Sequence, residues 1–486
     1  MLDTIEVPIW LAVLISLLAA ASLVAHFILP GGRWFLRRRV DRVIEDVNTR
    51  LELDLPPFML TKRYALIDRR VYDPKVQEAA HLAAKERGVP QNVVMDDVKE
   101  YAREIVPGFN AYFYFRLGNW LASHFLKFFF RLRLAFSDQN GLEEVRSGKD
   151  TLVLVINHRS NFDYMIVSHL ASGRAALSYA AGEWALFWPY GALLRAMGAY
   201  FVRRRSGDQL YRRILERYVQ MATAGRVPQG VFPEARLSPD GRLQKPHMGI
   251  LSYMLREFDP DGDYDIVFVP VGLNYERVVE DKALIARQDE TMISQRGTLF
   301  VLLQFAGFGI GILARILTGR WRKFGRACAN FGSPVSLREW LARQDCDLKS
   351  MDKDSYFRCV QTLGDDLMKM LADAIPVLPV SIVAVIFQRA GDESLGELDI
   401  AARAHGLIGE FEGANASVYV PFGEERLAVA DGLRMMLERD IVRQPEPGRY
   451  AVNPAARALL DLYVAPVEHF LSGGGSGPAK HAPVSP

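Results

Sequence analysis

The spacing of apolar positions changes along this chain, and each change predicts a different kind of element. Val7 to Leu29 is about 23 nearly continuous apolar residues, enough to cross a bilayer with some tilt. Residues 30 to about 105 turn polar and helical, basic at first. From Phe109 to Phe136 aromatic residues interleave with basic ones. Between 150 and about 335, short apolar and β-branched runs predict strands at 151–156, 176–181, 199–202, 229–233, 266–273 and 327–331. The clearest helices between them are expected at 208–224 and 247–258. Such alternation predicts an α/β fold, a mostly parallel central sheet flanked by helices. Beyond 375 the spacing is mostly helical, with a hairpin expected near Gln444–Val452. The expected division is an N-terminal membrane anchor (1–30), a helical membrane-proximal region (31–149), an α/β domain (150–340), a mostly helical C-terminal region (341–471) and a disordered tail (472–486).

Composition narrows this picture. Half of the residues are hydrophobic and 11% aromatic, greasy for a soluble enzyme yet too polar for a multi-span transporter. Cys328, Cys346 and Cys359 form no Cys-x-x-Cys pair, so neither a disulfide framework nor a metal site is expected. Acidic Asp3 and Glu6 precede the first apolar run, and Arg33, Arg37, Arg38, Arg39 and Arg42 follow it. That asymmetry puts the main body on the cytoplasmic side of the inner membrane. A cleaved signal peptide is the competing reading, but its basic leading segment is missing. The 109–136 stretch fits either helical packing or an interfacial amphipathic segment. Leu299–Leu317 is short for a span and contains Arg315, so a buried or membrane-dipping helix is expected there.

Four polar blocks close predicted strands, the place where open α/β sheets put ligands. After strand 151–156 come Asn157-His158-Arg159-Ser160-Asn161-Phe162-Asp163. Histidine suits a general base, and a carboxylate fixes its tautomer and stabilises the imidazolium. Strand 199–202 ends in Arg203-Arg204-Arg205, whose guanidinium forks match phosphate oxygens. Strand 229–233 leads into Glu234, to accept substrate hydroxyls, and Arg236 or Arg242, to hold a phosphate. Strand 266–273 contains Pro270 and Gly272, which disturb a ladder and let another group approach, and ends in Tyr275-Glu276.

In order and spacing these blocks resemble the glycerolipid acyltransferase superfamily, and within it the bacterial glycerol-3-phosphate acyltransferases. The family's His-x-x-x-x-Asp matches NHRSNFD at 157–163, and its apolar run ending in Arg-Arg matches GAYFVRR at 198–204. Phe-x-Glu-Gly-x-Arg-Ser partly matches FPEARLS at 232–238, and Val-Pro-Val-x-x-x-Tyr-Glu matches VPVGLNYE at 269–276. Flanking similarity runs through Ala181–Pro189, Asn330–Pro334 and Tyr463–Phe470. Two departures stand out. Leu237 occupies the place of the third block's arginine, with Ala235 where the family has glycine, and His247 stands where a lysine is expected.

The resemblance implies acyl transfer from acyl-carrier protein or acyl-coenzyme A to the 1-hydroxyl of glycerol 3-phosphate. Catalysis would fall to His158 and Asp163, and substrate binding to Arg203, Arg204, Glu234, Arg236 and Pro270. Backbone N–H groups near 159–163 would receive the developing oxyanion. No cofactor beyond the thioester co-substrate, no metal and no nucleic acid is implied, and membrane lipids are the expected surroundings. The alternatives are a lysophosphatidate acyltransferase with the same base, or a catalytically silent lipid-binding scaffold.

Overall fold

The computed structural model describes residues 55–145, 149–172, 175–182, 190–203, 207–286, 311–312, 314–319, 321–420 and 423–471. The expected anchor (1–30), Arg204 and the tail (472–486) lie outside the described residues, as does most of Leu299–Leu317. Among the described residues no helix is long and apolar enough to cross a membrane.

The centre is a mixed, mostly parallel sheet. Its strands are β1 (Arg131–Phe136), β2 (Thr151–Ile156), β3 (Ser178–Gly182), β4 (Ala199–Val202), β5 (Gln229–Val231), β6 (Ile266–Tyr275), β7 (Arg326–Phe331) and β8 (Val335–Ser336). The spatial order is β1-β7-β6-β2-β5-β3-β4, with β8 on β6. β7 and β8 run antiparallel to β6, and the remaining pairs are parallel. β2 and β4 have the bounds expected from their apolar runs. β5 is shorter than expected because the chain turns at Phe232, whose carbonyl accepts from Ala235 N–H at 3.0 Å. β1 was hidden in the aromatic and basic stretch. Its RLRLAF pattern alternates, but as an edge strand it buries too little for a clear signature.

Both faces of the sheet are covered, as the nearly all-apolar central strands require. One face packs on Gln209–Ala224, which also carries the helices Arg63–Val71, Pro74–Arg87 and Gln91–Ile105. Asp73 and Asp208 start two of these helices by accepting from the first free N–H groups. The other face packs on Asn119–Phe129 and Asp163–Ala171.

A second core lies in the C-terminal region, around the helix Pro379–Ala390, which is buried from Pro379 through Phe387. It is tied to the sheet through buried amides. Asn274 donates to the Pro376 carbonyl at 2.8 Å, and Asn330 donates to that of Ala374 at 3.0 Å. Gly272 is required by the same junction, since a Cβ there would come within 2.1 Å of the Ala374 carbonyl oxygen. The expected hairpin is present as Val442–Glu446 and Arg449–Val452.

Candidate active site

The end of β2 is locked before the functional residues begin. Asn157 presents its carboxamide to the backbone of Leu273 in β6, donating at 2.9 Å and accepting at 2.7 Å. This side chain substitutes for one rung of the ladder and sets the exit direction of the chain. His158 follows, and Asp163 opens the helix Asp163–Ala171, where negative charge suits the helix N-terminus.

His158 Nδ1 lies 3.0 Å from Asp163 Oδ2. An ionised carboxylate only accepts, so the shared proton sits on Nδ1 and the lone pair of Nε2 is left for a substrate proton. The same Asp163 oxygen accepts from the N–H groups of Arg159 at 2.6 Å and Ser160 at 2.9 Å. Its other oxygen accepts from the hydroxyl of Tyr275. Asp163 is fully buried, whereas the His158 side chain keeps 14% exposure, an opening through which substrate reaches the ring. Burial, and then the neighbouring Asp163 charge, push the Tyr275 phenol well above its ordinary range, so it remains a donor.

The third block builds a socket for His158. Glu234 accepts from His158 N–H at 2.8 Å through one oxygen and from Gln244 N–H at 3.0 Å through the other. It is only 1% exposed. Burial pushes its carboxyl up to about 7, against the pull of those two amides. Ser238 N–H donates to the His158 carbonyl at 2.9 Å, and the Phe232 ring lies 4.6 Å from the imidazole, centroid to centroid. Ala235 adopts φ 56°, left-handed backbone that a glycine would take without strain.

The expected oxyanion donors are also committed. Arg159 and Ser160 N–H serve Asp163, Asn161 N–H serves Glu280 at 3.2 Å, Phe162 N–H serves Ser160 Oγ at 3.2 Å, and Asp163 N–H serves the Ser160 carbonyl at 3.1 Å. These amides therefore rigidify the loop from His158 to Asp163, each already donating within it or to Glu280.

Among the expected phosphate ligands, the structure separates paired cations from free ones. Arg203 turns its fork to Glu104, Nε to Oε1 at 2.9 Å and Nη2 to Oε2 at 2.5 Å, between the rings of Tyr101 and Tyr211. That ion pair, first by its hydrogen bonds, holds the Arg203 pKa above its usual value and occupies the phosphate-shaped edge. Arg242 pairs with Glu468 at 2.9 Å. Arg236 and Lys245, by contrast, are exposed and have no hydrogen bond or ion pair among the described residues. Pro270 is buried inside the sheet opposite Val155, its carbonyl accepting from Gly332 N–H at 2.8 Å.

Several contributors were not legible as site residues. Glu280 accepts from Ser160 Oγ at 2.8 Å and from the Asn161 side chain at 3.0 Å. Buried Arg159 donates to the Leu462 carbonyl at 3.3 Å, and Tyr463 donates to Asp281 at 2.7 Å. The C-terminal region thus braces the loop that carries His158, which gives the Tyr463–Phe470 pattern a physical reason. Among the described residues no cluster of side chains suited to a metal ion occurs.

Two family models match this chain: "Acyltransferase" over residues 137–274, and "Glycerol-3-phosphate acyltransferase C-terminal region" over 310–467. The glycerol-3-phosphate acyltransferase of Pseudomonas aeruginosa strain UCBPP-PA14 is 27% identical over 352 residues, 70% of this chain and 40% of its own. Its counterpart in Pseudomonas paraeruginosa is 29% identical over 269 residues, 54% of this chain and 31% of its own. That of Pseudomonas syringae pv. syringae is 27% identical over 335 residues, 67% and 38% of the two chains. This chain therefore spans well under half the length of these relatives.

Proposed function

We propose, for a chain that belongs to the glycerolipid acyltransferase superfamily in its glycerol-3-phosphate branch, that it moves a fatty acyl group from acyl-carrier protein or acyl-coenzyme A to the 1-hydroxyl of glycerol 3-phosphate. The product is lysophosphatidic acid. One observation carries this reading: the His158 and Asp163 pair, 3.0 Å apart at the carboxyl end of β2, with Nε2 free to take a proton.

The acceptor hydroxyl is the nucleophile, so no side chain need become acylated. His158 Nε2 removes the hydroxyl proton as the oxygen attacks the thioester carbonyl. The new C–O bond forms, the C–S bond breaks, and the proton passes from the imidazolium to the departing thiolate. Asp163 stabilises the imidazolium and holds its orientation, and its own position is fixed by two amides and the Tyr275 hydroxyl. Arg236 and Lys245, exposed and uncompensated beside the His158 socket, supply the positive charge for the acceptor's phosphate. The body sits on the cytoplasmic side of the inner membrane, a placement supported by the charge asymmetry around Val7–Leu29.

The test supplies purified full chain with labelled glycerol 3-phosphate or with lysophosphatidate, and each thioester donor in turn. Labelled lysophosphatidic acid from the first acceptor supports the proposal. Acylation of lysophosphatidate alone replaces its acceptor, and no product from either acceptor removes the activity.

A further inference from the structure

The helix Asn119–Phe129 buries Ala122, Leu126 and Phe129 against the sheet, yet the flank beside that stripe is also apolar. Trp120, Leu121, Phe125 and Phe128 are all exposed, Trp120 by 56%, and Leu117 continues the stripe one turn earlier. Positions 117, 121, 125 and 128 recur at helical spacing, so this is one continuous face. The stretch 113–136 contains Arg116, Lys127, Arg131 and Arg133 and no Asp or Glu. A partly exposed apolar stripe on a segment whose only charges are basic is costly in water and suited to an anionic lipid surface.

A cleft of about 790 Å³ adjoins this face, lined by Arg277, Lys282, Arg315, Arg322 and Arg439 and by the carboxylates of Glu438 and Asp440. Four of its charges are settled by ion pairs. Arg322 pairs with Glu438 at 2.8 Å, Arg439 with Asp281 at 2.5 Å, and Asp440 with Arg443 at 2.9 Å. Arg277, Lys282 and Arg315 form no contact ion pair among the described residues, although the Asp281 charge acts on Arg277 and the Lys282 charge on Asp440 from a longer distance. The Arg277 guanidinium lies 4.2 Å from the Phe324 ring centroid, and its buried Nε has no hydrogen-bond partner. Aromatic packing joins cleft and stripe. Phe324 packs on Phe129 at 5.4 Å, and Trp321, next to Arg322, stacks on Phe128 at 4.7 Å. Ile316 and Leu317, beside Arg315, are exposed as well, Leu317 by 78%.

We propose that this face rests on the membrane, with the aromatic stripe in the interfacial layer and the phosphate of an anionic phospholipid seated between Arg277, Lys282 and Arg315. The occupant is a lipid headgroup and not a soluble phosphate ester, because the cations stand beside uncovered aromatic and aliphatic side chains. Rings and cations at one level match the boundary where phosphates meet acyl chains. The proposal requires no reaction, so it and the acyl-transfer reading stand or fall separately.

Full chain reconstituted in vesicles of phosphatidylglycerol and phosphatidylcholine provides the test. With brominated acyl chains, the emission lost in Trp120→Phe is expected to be the strongly quenched component. The double variant Lys282→Glu/Arg315→Glu replaces two exposed side chains and is expected to keep its unfolding midpoint. Its preference for phosphatidylglycerol over phosphatidylcholine should fall roughly tenfold or more. An unquenched Trp120, an unchanged lipid preference, or displacement of the lipid by millimolar coenzyme A or pyrophosphate would overturn the assignment.

Discussion

The hydroxyl of Tyr275, the last residue of β6, donates to Asp163 on the carboxylate oxygen that His158 does not use. The carboxylate is therefore gripped from both sides, and a strand neighbouring β2 sets the geometry of the His158–Asp163 pair. Tyr275 is a positioning residue. Tyr275→Phe leaves a buried charged acceptor short of one donor, a loss of roughly 1.5–3 kcal/mol. The expected result is a kcat reduced by about tenfold or more with KM for the acceptor unchanged, and a lower unfolding midpoint. A kcat equal to that of the parent would show that the pair does not depend on this contact.

Glu234 makes stability depend on pH in a defined direction. Its carboxyl is raised by burial from an unfolded value of 4.5 to about 7, so the folded protein binds the extra proton between those values. The contribution is fully present below pH ~4.5 and is lost as pH rises through about 7, by an order of ~3 kcal/mol. Urea unfolding at pH 5 and pH 8 should show this decline, and Glu234→Gln should flatten it. The same slope in both proteins would mean that another group titrates.

Ala235 offers a stabilising substitution. Left-handed backbone at a residue bearing Cβ costs roughly 1–2 kcal/mol, part of which glycine returns to the unfolded chain as entropy. Ala235→Gly should therefore stabilise by about 0.5–1 kcal/mol, read as a higher urea midpoint. A lower midpoint would show that neighbouring contacts already absorb the strain.

The cations around the site should divide by partner. Arg203→Lys breaks the fork to Glu104, and a double-mutant cycle with Glu104→Gln should return a coupling of roughly 1 kcal/mol or more in stability, with little effect on acceptor KM. Arg236→Ala and Lys245→Ala should do the reverse. Each should raise the KM for glycerol 3-phosphate by about tenfold, as loss of a charged hydrogen bond implies, and leave stability intact. Equal acceptor KM in all three variants would move the phosphate elsewhere. Arg204, expected from the sequence as a phosphate ligand, lies outside the described residues.

Sequence reading succeeded where the information was local. An apolar run followed by a polar break located β2, and His158 and Asp163 lie five positions apart on one turn of chain. It failed where a side chain's partner is remote. Arg203 reads as a free fork until Glu104, 99 residues away, is brought against it. Glu234 reads as a substrate ligand until the fold places the His158 amide on it from 76 residues away. Charge is visible in a sequence, but its compensation is a tertiary property. Tyr275 was identified with its block, yet the hydroxyl's target 112 residues away had no local signal. β1 failed for a different reason, since an edge strand shares its alternation with an amphipathic surface.

The central claim is that His158 is the base in acyl transfer to glycerol 3-phosphate. Its most direct test is the turnover of purified His158→Ala, with matched thioester donor, against that of the parent chain. The account predicts labelled lysophosphatidic acid from the parent and a loss of about 10²–10⁴-fold in the variant, with the unfolding midpoint preserved. Turnover by a folded His158→Ala protein at a rate near that of the parent would contradict it.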